Sequence, residues 1–489
     1  MAKRKRRIDK ATVTFLGNNA SGVTGSSTLL EFRDIKILLE MGMYQEGTMM
    51  ENFKVNRQFI ESVDFSDIDF VILCDSHVDH SGMLGYLGTH ESKFEGVVIM
   101  TPNAKKVTKH LLEDSAHIIK NDAEWLKKNK GLNVKEYYTN ADVVRMFESV
   151  VEVPLGAYRK LGENLQMRFL TNSHNIGSAS LELIFTESSG RKKKLFYSSD
   201  LGNVSQNMPF VSDKLDHCKN ADVAIFESTY GIKPERRLTK NDRRSEIATL
   251  RKEIMKTTLE DNGVVIVPVF AYQRSQQFLR HLKDIYDRTP ELQNIPVIVD
   301  GRLMQRLNKE FLEMLEGEEL DRFKEVMDWD RLICLTSFEE TLAACNDKRP
   351  KIVVASSGMA SNGKVVAYLE KFVGHQSTLI VFNGYCSQNS LGHRLLEKLD
   401  NPEKQFVKIG DKVHHYRARV MRMHTFSSHM QYDDLIEKAA SMNVSKGYYL
   451  VHGSTEARES LAEGLRDELN NQNKTTQVKV VRRNYKIEF

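Results

Sequence analysis

The feature that most constrains this chain is an eight-residue run, Asp75-Ser76-His77-Val78-Asp79-His80-Ser81-Gly82, directly behind the apolar segment Phe70 to Leu73. A short β-rich apolar segment followed by polar residues reads as a buried strand ending in a loop. His, Asp and His within four positions then project imidazole and carboxylate donors to one side of that loop. Such donors suit zinc and other first-row divalent ions. Taken alone, the run also reads as a surface loop with satisfied side chains. Three more positions repeat the arrangement: His174 in Ser173-His174-Asn175-Ile176-Gly177-Ser178, Asp200 in Tyr197-Ser198-Ser199-Asp200-Leu201-Gly202, and His452 after the apolar run Tyr448 to Val451. Each stands at an expected strand end, where loop-borne sites gather in layered α/β folds. Each one singly also reads as a capping or turn residue.

The surrounding pattern defines the layers. Ala11 to Phe15, Thr28 to Phe32, Ile35 to Leu39 and Phe70 to Leu73 are short β-rich runs separated by Gly, Asn or Asp. Between Lys105 and Val150 the spacing becomes helical, and strands return at Leu165 to Leu170, Leu181 to Phe185 and Lys194 to Ser198. Strands, then helices, then strands imply a layered α/β arrangement. Past residue 230 an amphipathic helix, Glu246 to Leu259, leads into continuous apolar runs at Val264 to Val269, Val297 to Val299, Ile352 to Ala355 and Thr378 to Phe382. Buried strands flanked by helices fit a mainly parallel sheet, a second domain over roughly Gly231 to Val420. The spacing predicts a last helix over Thr455 to Leu469 and a final strand over Val478 to Tyr485.

Composition enters as a set of exclusions. A net charge of +4 over 489 residues neither demands nor forbids nucleic acid, so such a role would fall to local basic faces. The five cysteines form no CxxC pair, which points to a reducing compartment and a cytoplasmic protein. The longest apolar stretches, such as Val264 to Ala271, are strand-length, against the roughly 20 residues of a membrane helix. Lys3 to Arg7 form a basic arm with no apolar segment behind it, unlike a secretory signal. The arm suits either a nucleic-acid contact or a solvated terminus.

In order, Asp75 to His80, His174, Asp200 and His452 resemble the metallo-β-lactamase superfamily, whose second motif is HxHxDH and whose later motifs supply a His, an Asp and a last His. Phe226-Glu227-Ser228-Thr229-Tyr230-Gly231 resembles motif A of the β-CASP nucleases, Phe426-Ser427-Ser428-His429 motif B, and Val451-His452-Gly453 motif C. Pro268 to Arg274, Ser356-Ser357-Gly358-Met359, and Gly384-Tyr385 through Ser390-Leu391-Gly392 match further landmarks. The likeness runs from about Phe15 to the end. It implies an α/β fold, a metallo-β-lactamase αββα sandwich with an inserted β-CASP α/β domain. The corresponding segments are 1–208 for the first part of the sandwich, 209–420 for the β-CASP domain and 421–489 for the returning part.

The resemblance further implies a metal-dependent ribonuclease, acting as exo- or endonuclease, that hydrolyses RNA phosphodiester bonds through a hydroxide activated by two divalent ions. Zinc is the first expectation, with manganese or magnesium as alternatives. Asp75, His77 and His174 would hold one ion and Asp79, His80 and His452 the other, with Asp200 bridging. Asp79 counts among the catalytic groups, with His429 as general acid and Glu227 beside it, raising its pKa. Arg274, Ser356, Ser357, Gly358 and Ser390 would contact substrate phosphates, though each also reads as turn chemistry. The cluster Lys233, Arg236, Arg237, Lys240, Arg243 and Arg244 suits either a backbone track or a solvated helix face. Tyr230, Phe270 and Tyr385 could stack bases or line walls. Histidine at position 452 implies RNA, where DNA-directed members carry valine. The expected partners are single-stranded RNA, with a homodimer or processing-complex subunits, and no membrane.

Two departures from the family pattern stand out. Asp75 replaces a histidine, which makes its site harder and more anionic and shifts preference towards manganese or magnesium. Glu40, in Leu38-Leu39-Glu40-Met41-Gly42, replaces an aspartate and is expected to re-space the Asp75 to His80 loop in compensation. Two other readings stay open on these grounds: a degenerate RNA-binding scaffold subunit, and a DNA-directed nuclease.

Overall fold

The computed structural model describes residues 9–206, 208–216, 218–384 and 386–489; the basic arm at Lys3 to Arg7 and Tyr385 lie outside the described residues. The chain forms two units. One takes residues up to Ser205, Val211–Arg237 and Ser428–Phe489, the other Gln206–Phe210 and Leu238–Ser427.

The first unit is built on two seven-stranded sheets. One runs in the order Lys486–Glu488, Ala11–Phe15, Thr28–Phe32, Ile35–Leu39, Phe70–Ile72, Val97–Met100 and Val150–Glu152. The other runs Gln477–Val480, Asn443–Val451, Asn220–Glu227, Lys192–Tyr197, Ala179–Thr186, Leu165–Thr171 and Tyr158–Gly162. Period-two alternation sets which residues face inward: Ala11, Val13 and Phe15 are buried while Thr12 and Thr14 are partly exposed. Val13, Leu30, Ile37, Ile72 and Ile99 from one sheet share a core with Phe169, Leu183, Leu195, Val223 and Ile225 from the other. The outer face of the first sheet is covered by helices Met49–Glu61, Pro102–Lys130 and Asn140–Phe147 through Phe53, Phe59, Leu112 and Met146. Helices Tyr432–Ala440 and Thr455–Asn471 cover the second through Leu435, Leu461 and Leu465. These four layers are the αββα sandwich that the motifs imply.

The helical stretch expected between Lys105 and Val150 is two helices. Thr101 caps the first by accepting from Ala104 N, with Pro102 in its first turn, and left-handed Gly131 (φ 67°) ends it. Of the expected terminal strand Val478 to Tyr485 only the start is strand, and a separate strand follows it. Gln477–Val480 belongs to the second sheet and Lys486–Glu488 to the first, with left-handed Asn484 (φ 65°) in the turn between them.

In the second unit six strands run parallel, in the order Leu332–Leu335, Val297–Asp300, Lys351–Ala355, Val264–Pro268, Thr378–Phe382 and Arg419–Arg422. The three central strands are buried at every residue, as their unbroken apolar runs require. Phe278, Met304 and Val326, from helices Arg274–Asp287, Arg302–Met314 and Gly317–Met327, pack on one face. Tyr368, Leu369 and Leu395, from Val365–Phe372 and Leu391–Leu396, pack on the other. The helix expected at Glu246 starts earlier, at Lys240, because Thr239 and Asp242 form a capping box.

Candidate metal centre

Within the first unit, the strands ending at Ile72, Thr171, Tyr197, Glu227 and Val451 deliver the candidate donors in the loops that follow them. Glu227 and Val451 are register partners on adjacent parallel strands, so Glu227 and His452 emerge side by side. His77 precedes the one-turn helix Val78–Ser81, which carries Asp79 and His80. That turn is stitched to the segment after Leu39 by Ser26 N→Asp79 O (2.8 Å), Met41 N→His80 O (2.9 Å) and Met43 N→Val78 O (3.0 Å). The approach requires glycine at 42, where a Cβ would come 1.7 Å from the Asp79 carbonyl oxygen. Glu40 (φ 61°), Ser173 (φ 59°), Ser199 (φ 47°) and His452 (φ 56°) are all left-handed. Each costs roughly 1–2 kcal/mol, so four of them beside one cluster are held there by the surrounding fold.

The structure brings all seven expected donors together. Asp75 Oδ1 lies 2.9 Å from His77 Nδ1, and Asp75 Oδ2 lies 4.0 Å from His174 Nε2. Asp79 Oδ2 lies 3.3 Å from His452 Nε2 and 3.7 Å from His80 Nε2. Asp200 sits between the two sets: its Oδ2 is 3.2 Å from His80 Nε2 and 3.7 Å from His174 Nε2, and its Oδ1 is 3.4 Å from His452 Nδ1. His429 Nδ1 is 3.8 Å from Asp200 Oδ2 and 3.7 Å from Glu227 Oε1. The ring of Tyr230 lies 5.9 Å from that of His429.

Of the groups that hold these donors, local pattern marked Glu40 as a departure but gave no such role to Asn175 or Thr229. Glu40, fully buried, lies 2.6 Å from His80 Nδ1 and accepts from Ser26 Oγ (2.5 Å), Tyr197 OH (2.6 Å) and Ser199 Oγ (2.7 Å). Its carboxylate therefore acts on His80, in the half of the cluster away from Asp75, and the expected compensation between the two departures is not how Glu40 is used. Asp75 is instead met by Asn175, whose Nδ2 donates to Asp75 Oδ2 at 2.7 Å. Thr229 Oγ1 lies 2.9 Å from His452 Nδ1. A carboxylate or hydroxyl on the far nitrogen fixes a ligating imidazole's tautomer and orientation.

The electrostatics are those of a cation site. Burial would raise the carboxyls of Asp75, Asp79 and Asp200, yet the adjacent imidazoles hold all three below the usual carboxylate range. Burial would lower His452, but Asp200 and Asp79 push it up to about 9. His80 is raised well above its ordinary value against burial, chiefly by Glu40. His174 falls to about 3 through burial and the proximity of His429. Without a cation the carboxylates recruit protons onto neighbouring rings; a metal ion would displace them. Buried His80 Nε2 and Asp200 Oδ1 make no hydrogen bond among the described residues. Converging N and O donors, within 4.8 Å in each group of three, therefore fit a divalent ion.

Glu227 is fixed by accepting from Leu201 N and Thr229 N, both 2.9 Å. Burial would raise its carboxyl, and His429 beside it reverses that. The expected phosphate contacts belong to the second unit. Arg274 is buried and donates to the Phe426 carbonyl. Ser357 Oγ donates to Asn362 O (3.2 Å), and a Cβ on Gly358 would strike the ring of Phe270 at 2.6 Å. Ser390 caps the helix Leu391–Leu396. Leu391 N→Ser361 Oγ (2.9 Å) and Gly392 N→Met359 O (2.8 Å) join the two loops. The basic cluster is not a free track: Arg237 pairs with Asp434 and Glu437, and buried Arg243, pushed down to about 10 by desolvation, donates to the Gln206 carbonyl.

A two-sheet sandwich with imidazoles and carboxylates gathered at its strand ends defines a metallo-hydrolase fold carrying a divalent-metal site. Residues 275–395 match the Beta-Casp domain, and residues 413–477 match the Zn-dependent metallo-hydrolase RNA specificity domain. These matches make the chain similar to the β-CASP nucleases of the metallo-β-lactamase fold. It is 27% identical to an RNase J-like protein of Methanocaldococcus jannaschii, over 81% of this chain and 83% of that one. It is also 27% identical to ribonuclease TTHA0252 of Thermus thermophilus, over 89% and 92%. With Integrator complex subunit 11 of Gallus gallus it shares 24% identity over 91% and 69%. A solved protein of unknown function from Enterococcus faecalis shares the fold at a TM-score of 0.53 and 12% identity, covering 98% of this chain and all of that one.

Proposed function

We propose that this protein is a metal-dependent ribonuclease with two divalent ions held around Asp200. The observation that carries the reading is the convergence of seven donors, from four strand ends, with His429 and Glu227 beside them. Asp75, His77 and His174 form one pocket and Asp79, His80 and His452 the other. Divalent ions there would supply Lewis acidity, lower the pKa of water and neutralise phosphodiester charge. Each pocket offers two imidazoles and one carboxylate, a set that suits zinc and extends to manganese or magnesium.

The chain's own groups complete the chemistry. Glu227, anchored by two backbone N–H groups, presents its carboxylate 3.7 Å from His429 Nδ1. The His429 side chain is 18% exposed and so open to a substrate, placed to protonate the leaving oxygen. Ser356, Ser357 and Gly358 are the phosphate contacts we favour, with Arg274 and Ser390 shaping the loops around them. The β-CASP domain is assigned to Leu238–Ser427 rather than to all of 209–420, because Asn220–Glu227 is a strand of the hydrolase sandwich's second sheet. His452 supports RNA as the substrate. Among the described residues no helix is long and apolar enough to cross a membrane. We assign cytoplasmic action on single-stranded RNA, alone or within a processing assembly such as the Integrator relative's name describes.

The test is cleavage of 5′-labelled single-stranded RNA with zinc, manganese or magnesium, beside a His77→Ala, Asp79→Ala double variant. Metal-dependent products absent from the variant support the reading, and a ladder or mononucleotides distinguish endo- from exonuclease action. No cleavage with any metal, with less than one ion bound per chain, would leave the RNA-binding scaffold.

A further inference from the structure

We infer that Asn175 is a positioning residue that holds Asp75 as a donor in the pocket of Asp75, His77 and His174, and that this pocket is the weaker of the two, so that a divalent ion enters the Asp79, His80 and His452 pocket first. The inference rests on the metal-centre reading above and concerns how the two halves differ.

The difference lies in what the donors are already doing. Asp75 Oδ1 accepts from the backbone N–H of His77 at 2.7 Å, and Oδ2 accepts from Asn175 Nδ2 at 2.7 Å. Each oxygen of this fully buried carboxylate thus spends one lone pair before any cation arrives. Asn175 is itself pinned: its N–H donates to Ser178 Oγ (3.0 Å), which donates to Asn172 Oδ1 (2.6 Å). The amide therefore fixes the shorter aspartate side chain where a longer imidazole would reach on its own, and it withdraws electron density as it does so. The third donor has no outer support, since buried His174 Nδ1 has no hydrogen-bond partner among the described residues.

The other pocket is backed throughout. His80 Nδ1 lies 2.6 Å from Glu40, and His452 Nδ1 lies 2.9 Å from Thr229 Oγ1. A carboxylate behind a ligating imidazole raises its basicity, and such outer partners typically change metal affinity by about 10–100-fold. One pocket has both rings backed and the other has a drained carboxylate and an unbacked ring. Affinities separated by at least about tenfold follow.

The test uses the metal-stripped full chain and zinc or manganese alone, with binding followed by calorimetry and by metal analysis after dialysis. The wild type should show two steps separated by about 10–100-fold, and Asn175→Ala should weaken the second by about tenfold while leaving the first unchanged. The decisive arm is Asp75→His with and without Asn175→Ala. Imidazole at 75 does not need the amide, so zinc should bind both variants alike, whereas a merely structural role for Asn175 would make its loss cost as much in the Asp75→His background as in the wild type. Circular dichroism melts confirm that each variant folds. Two steps of equal affinity, both steps weakened together by Asn175→Ala, or the same loss in the Asp75→His background would overturn the inference. Two tight, equal sites would leave the nuclease reading standing, while a wild type that binds no ion would instead remove that reading.

Discussion

Replacing Glu40 with glutamine isolates the effect of one buried charge on the pocket around His80. In the native protein Oε2 meets Ser26, Tyr197 and His80, and Oε1 meets Ser199. Glutamine keeps the volume. Its amide oxygen can take the Oε2 position and keep three of those partners, while its NH₂ faces a Ser199 hydroxyl free to turn and accept. The hydrogen bonds largely survive and the charge is lost. Charge-assisted bonds contribute roughly 1.5–3 kcal/mol against about 1 kcal/mol for neutral ones. Part of that gain offsets the cost of burying the carboxylate, so the expected loss of stability is about 1–3 kcal/mol. The effect on metal is more specific: without the anion behind it, His80 Nε2 is a poorer donor, and the tighter ion should weaken by about 10–100-fold. Glu40→Ala would strand four buried donors and destabilise by more than about 4 kcal/mol. Competition with a chromophoric chelator measures the affinity, and calorimetry in chelator measures the stability. If Glu40→Gln retains the tight ion to within threefold, Glu40 does not work through His80 and the reasoning fails.

His429→Ala should cut RNA cleavage by about 10²–10⁴-fold with the bound metal unchanged; undiminished cleavage would remove its general-acid role. Gly42→Ala should lower the melting temperature sharply, because its Cβ would sit 1.7 Å from the Asp79 carbonyl; a destabilisation under about 1 kcal/mol would contradict that packing. Burial pushes the half-buried Asp122 carboxyl up from 3.8 to about 6. The folded chain therefore keeps a proton that the unfolded chain has lost between pH about 4 and 6, and stability falls as pH rises through that window. Asp122→Asn abolishes the fall: after discounting for solvent screening, it should be about 1–2 kcal/mol more stable than wild type at pH 7.5 and equal below pH 4. Urea melts at the two pH values decide it.

Strand positions and metal donors were legible because both are local. Period-two burial marks Ala11–Phe15, continuous burial marks Val264–Pro268, and the donors stand one to eight residues past strand ends. What stayed hidden depends on partners distant in sequence. Glu40 and His80 are 40 residues apart, Asp75 and Asn175 100, and Arg237 and Glu437 200. Its basic neighbours alone left Arg237 open as part of a track or of a solvated face, whereas Asp434 and Glu437 pair with it. The break in the terminal segment hid for the same reason: Val478 and Ile487 both alternate as strand residues, and only pairing assigns them to different sheets. The consequence reaches the chemistry. Ligand identity follows from the motif, but ligand strength follows from what stands behind each ligand, and no local pattern carries that. Asp75 read from the motif is a hard, anionic donor. Between a backbone N–H and a pinned amide it is a carboxylate already half engaged, beside an imidazole with no outer partner. The motif sets the metal preference of Asp75, but its strength as a ligand depends on Asn175, a residue that local sequence marks only as part of a loop.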